Sequence, residues 1–220
     1  MAERLRRSIV PSTIIRMSRV DWPARAGAAA RRAAGRHGRI ELYFAFDDAC
    51  SAVAVIELAR RTAGRDVDLV LRPVVERGIP DDPAVDDKRR YAIMDARRLA
   101  RRAGLTLVRE EPLDPQDTAF LAAWVAAGEQ GRALTSFCVA AMQHLWFESD
   151  GPIVPDAYAG LPGAPGGGDP EAVRANERRM ARSGPYDTPA AVVHGQWFFA
   201  HDRLAQIVHR LDRLGWRAPA

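Results

Sequence analysis

Thr188-Pro189-Ala190-Ala191-Val192-Val193-His194-Gly195-Gln196-Trp197-Phe198-Phe199-Ala200-His201-Asp202-Arg203-Leu204 is the stretch that decides the fold. It reads as strand, tight turn, strand and the opening of a helix. Pro189 stands where a strand begins and its missing N–H costs least. Val192 and Val193 favour a strand, and His194-Gly195 supplies a turn before an aromatic second strand. Asp202 sits where a helix would start, ahead of an apolar face at Leu204, Ile207, Val208 and Leu211.

The N-terminal half supplies a complementary unit. Ile40 to Phe46 is an apolar, aromatic run of strand length. Asp47 or Asp48 is a good N-cap for the helix that follows, in which Val53, Ile56 and Leu58 recur at roughly helical spacing. Residues 67–75 give a second strand, and a right-handed crossover pairs it parallel to the first. Lys88 to Leu107 reads as a strongly basic amphipathic helix with apolar positions at Tyr91, Ile93, Met94, Leu99 and Ala103, stopped by Gly104. Two further helices are expected between Phe120 and Phe147. Residues 150–170 form a long Gly/Pro segment, read either as a lid or as disordered. Gly166-Gly167-Gly168 lacks the Lys-Ser/Thr and the preceding strand of a phosphate-binding loop.

These elements together resemble the DsbA-like thioredoxin fold, and more narrowly the 2-hydroxychromene-2-carboxylate isomerase and kappa-class glutathione transferase branch. Thr188-Pro189 and Asp202-Arg203-Leu204 match the branch's Thr-Pro and Asp-Arg-Leu. Tyr43 to Ser51 lines up with its Phe-Asp-Phe-x-Ser-Pro-Tyr-Ser-Tyr turn, and Glu129-Gln130-Gly131-Arg132 and Leu145-Trp146 add to the likeness over roughly residues 39–215. The resemblance implies an α/β thioredoxin fold with an α-helical insertion between its βαβ and ββα halves. The basic arm is then 1–38, the thioredoxin-like domain 39–83 and 184–215, and the helical insertion 84–183.

The chemistry is where the chain departs from that pattern. The resemblance sets Asp48 in the place of the thiol-activating Ser. A redox dithiol needs two thiols one helical turn apart, whereas 48–51 read Asp-Ala-Cys-Ser and Cys138 is remote. Asp48 cannot donate a hydrogen bond to a thiolate when ionised, but it can take a thiol proton as a base; it also suffices as an N-cap. Cys50 lies in the first helical turn, where N–H dipoles lower a thiol pKa and the neighbouring carboxylates oppose them; a free Cys is equally a small buried hydrophobe.

The resemblance further implies glutathione as cosubstrate. The backbone of Thr188, before a cis Pro189, would meet its peptide, the N-terminus of the last helix its γ-glutamyl carboxylate, and His201-Asp202 its amine end. The implied reaction is glutathione-dependent isomerisation or transfer on a small aromatic electrophile, with Phe46, Trp124, Trp146 and Tyr186 as lining candidates that core packing also explains. A thioredoxin-fold binding or scaffold protein without catalysis is the alternative, and a monothiol redox protein using Cys50 a third reading. A homodimer is a family-based expectation.

Composition bounds the rest. A chain of 220 residues, 47% hydrophobic, can bury a sizeable core. Two cysteines make no disulfide framework, which suits a reducing cytoplasm. The scattered histidines and cysteines have no metal-site spacing. Residues 1–39 hold ten Arg against Glu3 and Asp21, giving +8, so the remainder carries −4 within a total of +4. Such an arm resembles a transit peptide, or forms an amphipathic helix on the domain from Val20-Asp21-Trp22-Pro23 onward. No membrane span and no nucleic-acid partner are expected.

Overall fold

The computed structural model describes residues 22–79 and 81–218. Helix α1 (Trp22–Ala33) leads into strand β1 (Gly38–Phe44), helix α2 (Ala49–Thr62) and strand β2 (Val67–Pro73). Then come α3 (Val85–Arg102), a 3-10 turn (Pro115–Thr118), α4 (Ala119–Ala127), α5 (Arg132–Gln143), a π-helical turn (His144–Glu148), α6 (Pro155–Ala159) and α7 (Pro170–Ser183). Strands β3 (Ala190–Val193) and β4 (Gln196–Phe199) and helix α8 (Leu204–Leu214) close the chain. The sheet order is β2-β1-β3-β4. β1 and β2 are parallel, while β3 runs antiparallel to both β1 and β4. A βαβ unit and a ββα unit therefore meet at β1 and β3, with α3 to α7 inserted between them.

The pleat of β1 assigns its two faces. Ile40, Leu42 and Phe44 enter the main core with Leu69, Leu71, Ala191 and Val193, under α2, α5 and α8. Tyr43 and Ala45 turn the other way, onto Val74, Ala190 and Met180 of α7. Both faces are covered by helices at the C-terminal part of β1, where Leu42-Tyr43-Phe44 is apolar without a break, while Arg39 and Glu41 keep its first part polar. The β1 strand starts two residues earlier than the sequence pattern suggests and ends at Phe44, because β2 stops being its partner at Pro73.

Side chains from the insertion finish the exposed edge of β2. Gln130 accepts from the Leu71 N–H at 2.8 Å and donates to its carbonyl at 3.2 Å. Glu177 accepts from the N–H groups of Val75 and Glu76, both at 2.9 Å, and Asn176 donates to Pro73 O at 3.0 Å. Trp146, fully buried, donates its Nε1–H to Phe46 O at 2.9 Å and so fixes the backbone just after β1.

Three expectations are corrected. The buried stripe of α3 is Ile93, Ala96 and Ala100, spaced three and four apart; Tyr91 and Met94 point outward because that stripe is only one narrow face wide. The 150–170 segment is folded onto α4 and α5 rather than free: Tyr158 is buried, Asp169 N–H donates to Ala123 O at 2.9 Å, and Gly163 (φ 80°) lies so close that a Cβ there would sit 2.3 Å from Ala133 O. Phe46 and Trp146 are core residues, 1% and 0% exposed.

Helix α1 packs on the domain through buried Ala28 and through Arg32, which donates to Leu214 O and lies 5.5 Å from the centre of the Trp216 ring. Trp216 stacks in turn on His194 at 5.0 Å. The remaining N-terminal readings, including the transit-peptide one, fall on residues outside those described. Among the described residues no helix is long and apolar enough to cross a membrane.

Replacing Trp146 with Phe strands the Phe46 carbonyl and leaves a void where part of the buried indole stood. The expected loss is about 1–3 kcal/mol of unfolding free energy by denaturant titration; an unchanged midpoint would show that the hydrogen bond is dispensable.

Candidate active site

The chain leaves β1 through Ala45-Phe46-Asp47-Asp48 and turns into α2. Asp48 is the N-cap: its carboxylate accepts from Cys50 N–H at 2.9 Å and Ser51 N–H at 3.1 Å. Ser51 adds its hydroxyl to Asp48 Oδ2 at 2.6 Å and accepts from the Ala45 N–H at 3.2 Å. The Thr188 hydroxyl donates to the same Oδ2 at 3.3 Å. The Thr188–Pro189 peptide bond is cis. The turn after β1 and the bend before β3 are therefore joined at one carboxyl group, only 8% exposed.

Burial raises the pKa of Asp48 above the usual carboxylate range, with smaller raising contributions from Asp47 and Asp187; Arg77 and the Ser51 hydroxyl oppose it. Its neighbour Asp47 is equally buried but has a partner. Arg77 grips it with two parallel bonds of 2.8 Å and reaches Asp187 at 3.6 Å. Gly78 N–H donates to Tyr186 O at 2.7 Å, so the loop after β2 is fastened to the loop before β3.

Cys50 is the second residue of α2, 7% exposed, with its Sγ 3.6 Å from Ala92 O of α3. Burial pushes its thiol far up, and the charges of Asp48, Asp95 and Asp187 push further. The helix dipole does not win here, so the thiol is protonated at neutral pH. Cys138 is fully buried in α5, again with its thiol raised by burial.

Asp202 does not cap α8. The helix starts at Leu204 with Arg203 in the cap position and no side-chain cap bond. Asp202 lies one residue further back, 3.4 Å from Arg203 and 3.9 Å from His201. The hairpin brings this pair to the neighbourhood of Pro189, since Ala200 N–H donates to Pro189 O at 2.7 Å. Among the described residues, no hydrogen bond or ion pair joins His201 or Asp202 to Asp48 or Thr188. The Thr188 N–H is engaged by Asp187 Oδ1 at 2.8 Å.

The structure thus gathers Asp48, Cys50, Thr188 and Pro189 at the end of β1, leaves His201 and Asp202 on the hairpin flank, and adds Ser51, Asp47, Arg77 and Asp187. Ser51 stands three residues after Asp48, a spacing that signals a cap partner. The Asp47–Arg77 pair bridges 30 residues and has no local signature.

Asp48, which the resemblance sets in the place of the thiol-activating Ser, is the N-cap of α2, and Ala49 follows where the motif has Pro. Counted from Asp48, the second position of a Cys-x-x-Cys pair is Ser51, whose hydroxyl donates to Asp48 Oδ2 at 2.6 Å.

This is a DsbA-like thioredoxin fold. No protein-family model and no curated protein sequence matches the chain. Among solved structures, it is similar to a 2-hydroxychromene-2-carboxylate isomerase, with a TM-score of 0.60 and 16% identity over 80% of this chain and 95% of that one. It is similar to the same degree, TM-score 0.60 and 16% identity, to a probable DsbA oxidoreductase from Streptomyces coelicolor over 84% of this chain and 93% of the other.

Two substitutions test the electrostatics. Because the folded state holds the Asp48 proton more tightly than the unfolded chain does, stability falls as pH rises from the ordinary carboxyl range through the raised value. Asp48→Asn is expected to flatten that slope in denaturant unfolding followed from acid to neutral pH; a slope unchanged from wild type would refute it. Arg77→Met leaves Asp47 buried without its partner and is expected to cost about 3–5 kcal/mol in the same assay.

Proposed function

We propose that the protein is a glutathione-dependent isomerase or transferase acting on a small aromatic or conjugated electrophile. The observation that carries this reading is the Thr188–Asp48 hydrogen bond. It sets the segment carrying cis-Pro189, just before β3, against the start of α2, in a site whose own thiol is buried and protonated. The missing second thiol argues against dithiol exchange, and the burial of Cys50 argues against its own thiol as the nucleophile, which leaves that role in this reading to a thiol cosubstrate.

The chemistry then needs a proton carrier and a place for the peptide. Asp48, a carboxyl with a raised pKa, is suited to take the thiol proton as sulfur adds to the conjugated system and to return it when sulfur leaves after bond rotation. Glutathione's peptide would replace the Asp187 side chain on the Thr188 N–H. The start of α8, which has no side-chain cap, and the His201-Asp202 pair would receive its γ-glutamyl end. Tyr186 and Phe199, exposed and 6.3 Å apart between ring centres, replace Phe46 and Trp146 as the aromatic surface for substrate.

A second reading, a thioredoxin-fold binding protein without catalysis, is favoured by one specific observation. The α2 N–H groups of Cys50 and Ser51, donors of the kind that would steady a bound thiolate, are already taken by Asp48. Calorimetric titration of glutathione into the reduced protein separates the two. Saturable binding that Asp202→Ala abolishes and Cys50→Ser preserves supports the enzyme. Heat indistinguishable from dilution up to millimolar glutathione supports the binding protein. Asp48→Ser then reports on catalysis, since a gain in thiol-transfer rate would mean that the carboxylate is what silences the site.

A further inference from the structure

At the other end of β1, on the α7 face of the sheet, lies a groove of about 630 Å³. Its walls come from four parts of the chain: Arg31 on α1, Arg39 and Glu41 on β1, Arg179 on α7, and the β3–β4 hairpin with Val192, His194 and Trp197. Glu41 is the sole acid among these lining residues, is 8% exposed, and is saturated by arginines. Arg39 approaches its Oε1 at 3.3 Å, Arg179 the same oxygen at 3.0 Å, and Arg72 reaches Oε2 at 3.4 Å. Arg31 spends two N–H groups on a neutral acceptor, His37 O, at 3.2 and 3.0 Å. One carboxylate thus fixes guanidinium groups that outnumber it, and the groove keeps a positive excess.

Two polar atoms in the lining have no partner. Arg39 Nε and His194 Nε2 are withdrawn from solvent and make no hydrogen bond. The field is felt locally: after burial itself, Arg31 and Arg210 are what lower the His194 pKa. Beside this charged wall lies an apolar one, made by Val192 and by Trp197, whose ring sits 5.2 Å from Tyr43.

We propose that this groove binds a small phosphorylated molecule, its phosphoryl group among Arg31, Arg39 and Arg179 and its flat apolar part on Trp197. Guanidinium groups arriving from three separate elements offer more directed N–H donors than the two oxygens of a carboxylate can use, and a phosphoryl group has the oxygens to take them. The groove is near the start of β1 and Asp48 is past its end, so this site stands or falls separately from the glutathione reading.

The test uses the full chain and follows the Gly195 amide and the Trp197 indole N–H by NMR, with phenyl phosphate, inorganic phosphate and phenol as probes. Phenyl phosphate is expected to shift both signals saturably, inorganic phosphate to shift them more weakly, and phenol to leave them unmoved. Arg179→Gln is expected to weaken phenyl phosphate binding about tenfold. Glu41→Gln, which removes the only negative charge in the lining, is expected to tighten it. Arg39→Gln repeats the first comparison should Arg179→Gln fail to fold. No saturation up to millimolar phenyl phosphate, shifts centred on Asp48 instead of Gly195, or an affinity indifferent to the arginine and Glu41 substitutions would each overturn the proposal.

Discussion

One buried carboxyl group ties the two halves of this fold together at the candidate site. Asp48 receives the backbone N–H groups that open α2, the Ser51 hydroxyl one turn on, and the Thr188 hydroxyl from the far half of the chain. A carboxyl almost out of reach of water is tolerable only because its oxygens are so fully engaged. The Asp47–Arg77 pair alongside does the same with full charges. Between them they fasten the turn after β1, the loop after β2 and the bend before β3, the three segments that frame the candidate site.

The same economy shapes the insertion. The insertion covers the core and also sends Trp146, Gln130, Asn176 and Glu177 back to backbone groups in β2 and just after β1 and β2. The insertion therefore cannot be viewed as a separate lobe resting on the sheet. Each contact satisfies a main-chain donor or acceptor that would otherwise be stranded.

Much of this was legible in the chain. The apolar run of β1, the Thr-Pro before a Val-Val/His-Gly/Trp-Phe hairpin, and Asp48 ahead of an apolar helix all express local propensity and cap chemistry, and these gave the fold. What escaped was non-local. The 30-residue span between Asp47 and Arg77, and the reach of Thr188 to Asp48, leave no trace in spacing. Asp202 was misplaced as a cap because the chain makes one more turn residue before α8 than its apolar pattern suggests. The outward direction of Tyr91 and Met94 was hidden because small alanines, Ala96 and Ala100, form the buried stripe of α3 and carry little hydropathy signal.

Gln130 shows how a sheet can be brought to a close. A further strand would offer Leu71 one acceptor and one donor; the carboxamide of Gln130 offers the same two from a single residue. It is a strand reduced to its hydrogen-bonding group. Growth of the sheet past β2 is thus stopped at that position by chemical saturation, and a neighbouring chain seeking an open ladder finds it already answered.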